Sequence, residues 1–423
     1  MRLNFLIITL ITVVAIIGCC YGIYIYNMYV SKNTEKKLSL KNVEALNQLI
    51  DIDQAQSEDM ILYSSFLEAP DVIVLETKNE CIIQNIYALD VYNDKIYILD
   101  DKAYSLFVFN KDGSFLHKIG RRGNGPGEYI ELSDFSIDRA RGIIYLWDEA
   151  ADKAYKYDAE TGKFISSVQT EQDGDRSFCI QYCNDKLYIN RSSEEEEPGS
   201  CLLREIDEKT GKQLASFISA EEYNRGWNYA LRLPYSFFYS KNTDHPKYIG
   251  IFSDKIFTIT KDSVIPAYTI KSKDFVKPSD VEKVIRKYKS NGHSFDLSDL
   301  YKDDKVFMIS GFVEMDNFIS FQYMKGYDRY YLLHNKQTKE TKISLVFAND
   351  YISEENNIPT DFCYSDKEGV VSVMKTELIP YFIENIISKG LLNPHIDKHD
   401  ELMNMDETSN PVLFFHKYKK SKK

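Results

Sequence analysis

Few side chains in this sequence are spaced for chemistry. His395 and His399 lie four residues apart, which would put both on one face of a helix. Asp397 and Asp400 are the only other donors beside them. A metal needs a third convergent ligand, so the pair reads as a solvated helix or loop face. Cys179 and Cys183 bracket Ile-Gln-Tyr. In a strand such residues share a face but stand about 13 Å apart at ~3.3 Å rise per residue. That is too far for a disulfide or a shared metal, and both read as small buried hydrophobes. Beyond the leader the cysteines are Cys81, Cys179, Cys183, Cys201 and Cys363. An odd set cannot complete a disulfide framework, although a single cross-strand Cys183–Cys201 pair stays open. The acidic run Glu194–Glu197 lacks the convergent oxygens that calcium takes and reads as a solvated hairpin tip. No His-Glu-x-x-His, Gly-x-Ser-x-Gly, phosphate loop or paired-cysteine zinc pattern occurs. No cofactor and no metal site are expected.

The densest local signal is Gly120-Arg-Arg-Gly-Asn-Gly-Pro-Gly-Glu-Tyr129. Four glycines and a proline within eight residues suit a crossover near the axis of a ring, where only small side chains pass. Arg121 and Glu128 would then pair locally. The functional alternative makes Arg121, Arg122, Asn124, Glu128 and Tyr129 part of a ligand face. Trp227 and Tyr229 are aromatic candidates for stacking on a sugar, and equally candidates for the core.

These residues must be positioned by a large domain. The chain has 423 residues, 43% hydrophobic and 27% charged, with 31 Tyr and 24 Phe. That composition supports a sizeable core and excludes wholesale disorder. The aromatic enrichment leans toward β structure. A net charge of −12 argues against nucleic acid as a partner, because phosphate binding calls for a basic face.

The N-terminus reads as membrane-directed. Phe5 to Val30 is nearly all apolar after Arg2. Phe5–Ile17 fits the apolar part of an export signal, and Ile16-Ile17-Gly18-Cys19 resembles a lipobox with Cys19 as the acylated residue. The same run is long enough for an uncleaved transmembrane helix. Lys32, Lys36, Lys37 and Lys41 follow it, and under the positive-inside rule that helix would hold the domain in the cytoplasm. Residues 31–68 read as a charged, part-helical linker and 419–423 as a basic tail.

Internal repetition sets the fold. Asp94-Lys-Ile-Tyr-Ile-Leu-Asp-Asp101 is a short strand closed by aspartates. Ser105–Asn110 follows, then the turn Lys111-Asp-Gly-Ser114 and the return strand Phe115–Gly120. Asp-Gly is a strong hairpin signal. The grammar recurs over Gly142–Val168 and Asp185–Ile218, more loosely over Lys247–Ile270, and again over Asn317–Ser344. Units of about 40–50 residues, each strand, strand, turn, strand, are the period of propeller blades. Asp71–Glu76, Val370–Met374 and Asn410–Tyr418 are left over. Together they can build a sixth, composite blade from both chain ends, while a seventh stays open if the loose fourth region hides two. Helices are expected from the cap Ser279 to about Lys289, over Glu377–Lys389, and briefly before Asn410.

The segment Gly120–Tyr129, with Asp134-Phe-Ser-Ile-Asp138 and the strand ending at Asp148, resembles the six-bladed β-propeller family related to NHL repeats. Asn410-Pro-Val-Leu-Phe-Phe is similar to that family's last strand. The likeness spans about Ala69 to Tyr418. It implies an all-β, six-bladed ring over 69–418 on an exported, often lipid-anchored bacterial protein, outside the cytoplasm. Two functional readings follow. The first is an envelope-anchored binding or scaffold module for a glycan, peptide or protein. The second is a hydrolase or lyase with its site in the central channel; fold alone does not license it.

Overall fold

The computed structural model describes residues 47–171, 176–191, 200–222, 237–238, 245–292, 296–355, 358–366 and 368–419. Cys19 and the leader, Glu194–Glu197, Trp227, Tyr229 and nearly all of the basic tail lie outside the described residues.

Six sheets form the ring, each built on four antiparallel strands, and two of them gain a fifth, parallel strand. Blade one runs Ala88–Tyr92, Lys95–Asp100, Ser105–Asn110 and Phe115–Ile119, from the axis outward. Blade two runs Leu132–Asp138, Ile143–Asp148, Lys153–Asp158 and Phe164–Gln169. Blade three runs Ile180–Cys183, Lys186–Asn190, Cys201–Asp207 and Gln213–Ser219. Blade four runs Phe237–Phe238, Lys247–Tyr248, Lys255–Ile259 and Val264–Lys271, and blade five Val306–Glu314, Phe318–Lys325, Asp328–Asn335 and Thr341–Ser344. The loose fourth region is thus a single sheet whose two inner strands are two residues each, and the ring has six blades.

Blade six closes the circle. Asp361–Ser365, Gly369–Met374 and Val412–Tyr418 come from the C-terminal part, and Leu67–Val74 adds the outermost strand. Leu413 sits opposite Ile73 and Phe414 opposite Val72. This is the composite blade expected from the leftover strands.

The third-to-fourth-strand turns repeat one device. Asp158 accepts the N–H and hydroxyl of Thr161 at 2.8 and 2.7 Å, and Asp207 those of Thr210 at 2.7 and 2.8 Å. Gly162 and Gly211 follow with φ of 65° and 74°, a backbone that glycine takes without a Cβ penalty. Because each blade is a meander, its first and third turns lie on one face of the ring. The second turns and the crossovers between blades lie on the other. The two described helical insertions, between blades four and five and within blade six, fall on this crossover face.

A second device fixes the crossovers. Asp100 and Asp148 end the second strands of blades one and two, and both are fully buried. Asp100 accepts the N–H of Gln84 at 2.7 Å, and Asp148 that of Ile130 at 2.7 Å. In blade three Asn190 accepts from Phe178 and Cys179 at 2.8 and 2.7 Å. Asn410, at the start of the closing strand, accepts from Ile83 at 2.9 Å. It also donates to the carbonyls of Glu76 and Cys81, both at 2.8 Å. Asp100, Asp148 and Asn190 each tie the chain entering a blade to that blade's second strand, and Asn410 ties the chain entering blade one to blade six.

Two regions differ from expectation. Part of the stretch read as a linker is woven into the ring. Gln48–Asp51 pairs in parallel with the outer strand of blade four, Gln56–Ser57 with that of blade five, and Ile61–Leu62 with Phe347–Ala348. A single helical turn at Ile52–Gln54 separates the first two pairings, and another at Tyr63–Ser65 leads from the third into blade six. Ile50, Ile52, Ile61 and Tyr63 are buried, which is what draws a polar segment onto the blades. The first long helix starts at Pro278, not after Ser279, and runs to Ser290. Proline is pre-organised for the first helical position, and Asp280 accepts the N–H of Lys277 at 3.1 Å. The second insertion is a three-residue turn Thr376–Leu378, a helix Ile379–Phe382 and a wider turn Ile383–Ile387. It buries Ile379, Phe382 and Ile386 against blade six, while Tyr381 faces solvent. A short helix His399–Met403 precedes Asn410. Among the described residues no helix is long and apolar enough to cross a membrane.

Replacing Asn410 by Ala leaves a buried N–H and two carbonyls without their partner, at ~1–3 kcal/mol for each unsatisfied group before relaxation. Urea unfolding should show a loss of about 2–4 kcal/mol; a change within about 0.5 kcal/mol would show that this side chain does not hold the closure.

Candidate binding clefts beside the closing blade

The glycine-rich segment is the crossover from the outer strand of blade one to the inner strand of blade two. It folds around Glu128. That carboxylate accepts from the Arg121 guanidinium at 2.5 Å and from the Gly125 N–H at 2.7 Å, and these bonds hold its pKa below the usual carboxylate value. Arg122 donates to the Ile130 carbonyl at 3.0 Å and its guanidinium lies 5.0 Å from the Tyr104 ring centre. Tyr129 is buried and donates to the Tyr104 carbonyl at 2.9 Å. Gly120 and Gly127 have φ of 69° and 78°, and a Cβ at either would run into the ring of Tyr129 or Phe164. Arg121, Arg122 and Asn124 lie at the surface. The segment thus brings Arg121 and Glu128 together, and puts Tyr129 into the core between blades one and two.

The described cysteines are thiols. Cys81, Cys179, Cys183 and Cys201 are buried and Cys363 is half-buried, so the open Cys183–Cys201 pairing is not made. His395 is exposed, and the Nδ1 of His399 lies 3.5 Å from Asp400.

Two concavities flank blade six, and neither was visible as a sequence motif. The first opens on the crossover face between blades five, six and one, with a volume of about 250 Å³. Asp361 sits in it and accepts from Lys375 at 2.9 Å and Gln322 at 3.1 Å. Arg329 lies at its rim. The inner strand of blade five slips register twice beside it, and Met308 and Gly311 have φ of 55° and 58°. Such bulges re-aim side chains, here Met308 and Ser310, into the opening.

The second concavity, the closure cleft, opens on the opposite face between blades six and one. Its volume is about 490 Å³, within the range of small-ligand sites. Ile73, Leu89, Val371 and Leu413 form an apolar floor that is the exposed end of the core between the two blades. Polar groups converge above it. Arg139, from the first turn of blade two, pairs with the buried Asp90 at 2.5 Å and donates to the Val91 carbonyl at 2.9 Å. The Tyr364 hydroxyl donates to Asp366 at 3.0 Å; burial raises its pKa far above that of a free phenol. Among the described residues no group of three His, Cys, Asp or Glu side chains is gathered to hold a metal ion.

The fold and these openings define a six-bladed β-propeller stapled through a blade shared by both chain ends. A family model described as a domain of unknown function, DUF4934, matches residues 47–417, so the chain belongs to that family. No curated protein matches the chain. Among solved structures it is similar to a Bacteroides fragilis protein described as exported. That pair shares 21% identity and a TM-score of 0.67, over 88% of this chain and 100% of the other. It is also similar to a member of the duf4221 family from Bacteroides vulgatus, with 12% identity and a TM-score of 0.50 over 84% and 98% of the two chains. At these identities the likeness is one of fold.

Both openings lean on blade six, which buries His416 in its third strand. Its Nδ1 faces the Glu68 carbonyl at 3.1 Å and its Nε2 faces Asn349 at 3.2 Å. Burial lowers its pKa to about 4, and burial lowers those of His117 and His334 as well. The unfolded chain protonates histidine near ~6.5. Between these values the unfolded state binds more protons, so the stabilisation is complete above pH ~6.5 and is lost as pH falls toward 4. Urea midpoints should therefore drop between pH 7 and 4.5, and the drop should shrink in His416→Gln. An equal drop in wild type and variant would remove His416 from the account.

Proposed function

We propose that this ring is a ligand-binding module held at the cell envelope outside the cytoplasm, and that the closure cleft is its binding site. The observation that carries the reading is the cleft itself: an apolar floor ringed by convergent polar groups at the one junction where the chain ends meet. The export part is supported by the apolar leader Phe5–Ile17 ahead of Cys19, and by the fold shared with a protein described as exported. In this reading Cys19 carries the lipid and the ring is of the NHL-related type, with the 120–129 crossover as a structural joint.

Two experiments test it. Full-length chain applied to peptide and glycan arrays should give a defined hit. Val91→Trp, which fills the cleft from its half-buried wall, should weaken that hit at least about tenfold while the urea midpoint holds. Hits indifferent to the filled cleft would move the site elsewhere. In cells, labelled fatty acid should enter the wild-type chain and not Cys19→Ala. A mature chain that keeps Met1 and carries no acyl group would end the lipoprotein reading.

A further inference from the structure

We infer that the closure cleft recognises a basic, amphipathic peptide segment, one that lays a lysine or arginine side chain over the floor with its charge at the rim. This rests on the cleft being the binding site. Three carboxylates line the opening, Asp94, Asp366 and Glu368, against two cations, Lys111 and Arg139, and a fourth carboxylate, the buried Asp90, lies behind Arg139. Arg139 is closed onto Asp90. Lys111 and Asp94 form a loose pair at 3.9 Å. Asp366 and Glu368 remain, and neither has an ion pair among the described residues. The Asp366 carboxylate instead takes the Tyr364 hydroxyl and the N–H groups of Glu368 and Gly369. Among the described residues the cleft therefore keeps two carboxylates without a cation beside them, over an apolar base.

That combination selects among ligand chemistries. A sugar brings hydroxyls that Ile73, Leu89, Val371 and Leu413 cannot satisfy, and burying an unpaired hydroxyl is costly. An acidic segment meets charge of its own sign. Lysine and arginine carry an aliphatic stem that packs on apolar surface and a charged head that stays at the solvent edge. The cleft already holds two such side chains of its own. The Lys111 ammonium lies 5.8 Å from the centre of the Phe415 ring, and the Arg139 guanidinium 5.6 Å from that of Tyr92. Cations over aromatic faces are attracted by the ring quadrupole. A partner's basic side chain would extend this arrangement toward Asp366 and Glu368.

The probe is a fluorescent hexapeptide of alternating lysine and leucine, with glutamate–leucine and glutamine–leucine counterparts, titrated against full-length chain by anisotropy. The basic peptide should bind at least about tenfold more tightly than the acidic one, and less tightly at 1 M than at 0.1 M salt, where screening differs most. The double variant Asp366→Asn with Glu368→Gln keeps the turn acceptors and removes both charges. It should lose about three- to tenfold in affinity. Glu282→Gln with Asp303→Asn, the same charge change on a distant surface, should lose less than about twofold. Equal losses in the two double variants, or acidic and neutral peptides that bind as well as the basic one, would overturn the inference. A glycan whose binding Val91→Trp blocks would overturn the ligand class and leave the cleft as the site. Binding that Val91→Trp never affects would remove both.

Discussion

The ring depends on buried carboxylates and carboxamides that hold each incoming crossover against the blade it enters. Asp100, Asp148 and Asn190 stand at the ends of second strands and accept N–H groups from the chain about a dozen or more residues upstream. A blade cannot bury both faces alone, and its neighbours supply the other half of each core. Radial packing of that kind needs the crossovers fixed, because a crossover free to slide would slip the register of the next inner strand. The cost of burying these polar groups is offset only because each is fully hydrogen-bonded. Asn410 extends the same device to the closure, where it ties the last strand of the ring to the crossover that begins blade one.

Closure makes the molecule asymmetric. Blade six is built from both ends of the described chain and carries the helical insertion packed on Val72, Val412 and Phe414. Blades four and five have their outer edges covered by the segment from Gln48 to Ser57. Outer strands are liabilities when unpaired, and here the chain covers two of them itself. Each opening described above borders blade six. The closure cleft thus lies on the junction that holds the ring shut.

Much of this was legible in the residues. Blades one to three and five carry strong turn signals, such as Asp112-Gly113 and the Asp-x-x-Thr-Gly pattern at Asp158 and Asp207, so their hairpins could be read directly. The composite blade was legible because three apolar strands had no partner in any repeat. The Arg121–Glu128 pairing was legible from proximity in a glycine-rich loop. Blade four was blurred because its inner strands are two residues long, too short for an alternating pattern. The pairing of Gln48–Ser57 was hidden because edge strands need few apolar residues, and only Ile50 and Ile52 mark it. The helix start was misplaced because Ser279 looked like a cap while Pro278 set the first turn. The clefts could not be read at all: Arg139 and Tyr364 meet across the ring closure, and no local spacing records that.

The central claim is that shared blade six holds the ring as one cooperative unit. Amide hydrogen exchange on the full chain tests it most directly, comparing 67–74 and 412–418 with the interior strands 95–100 and 143–148. The account predicts that all four segments exchange at similarly slow rates, through opening of the whole ring. Fast exchange of 67–74 while 143–148 stays protected would show a ring that stands without its closure, and would contradict the account.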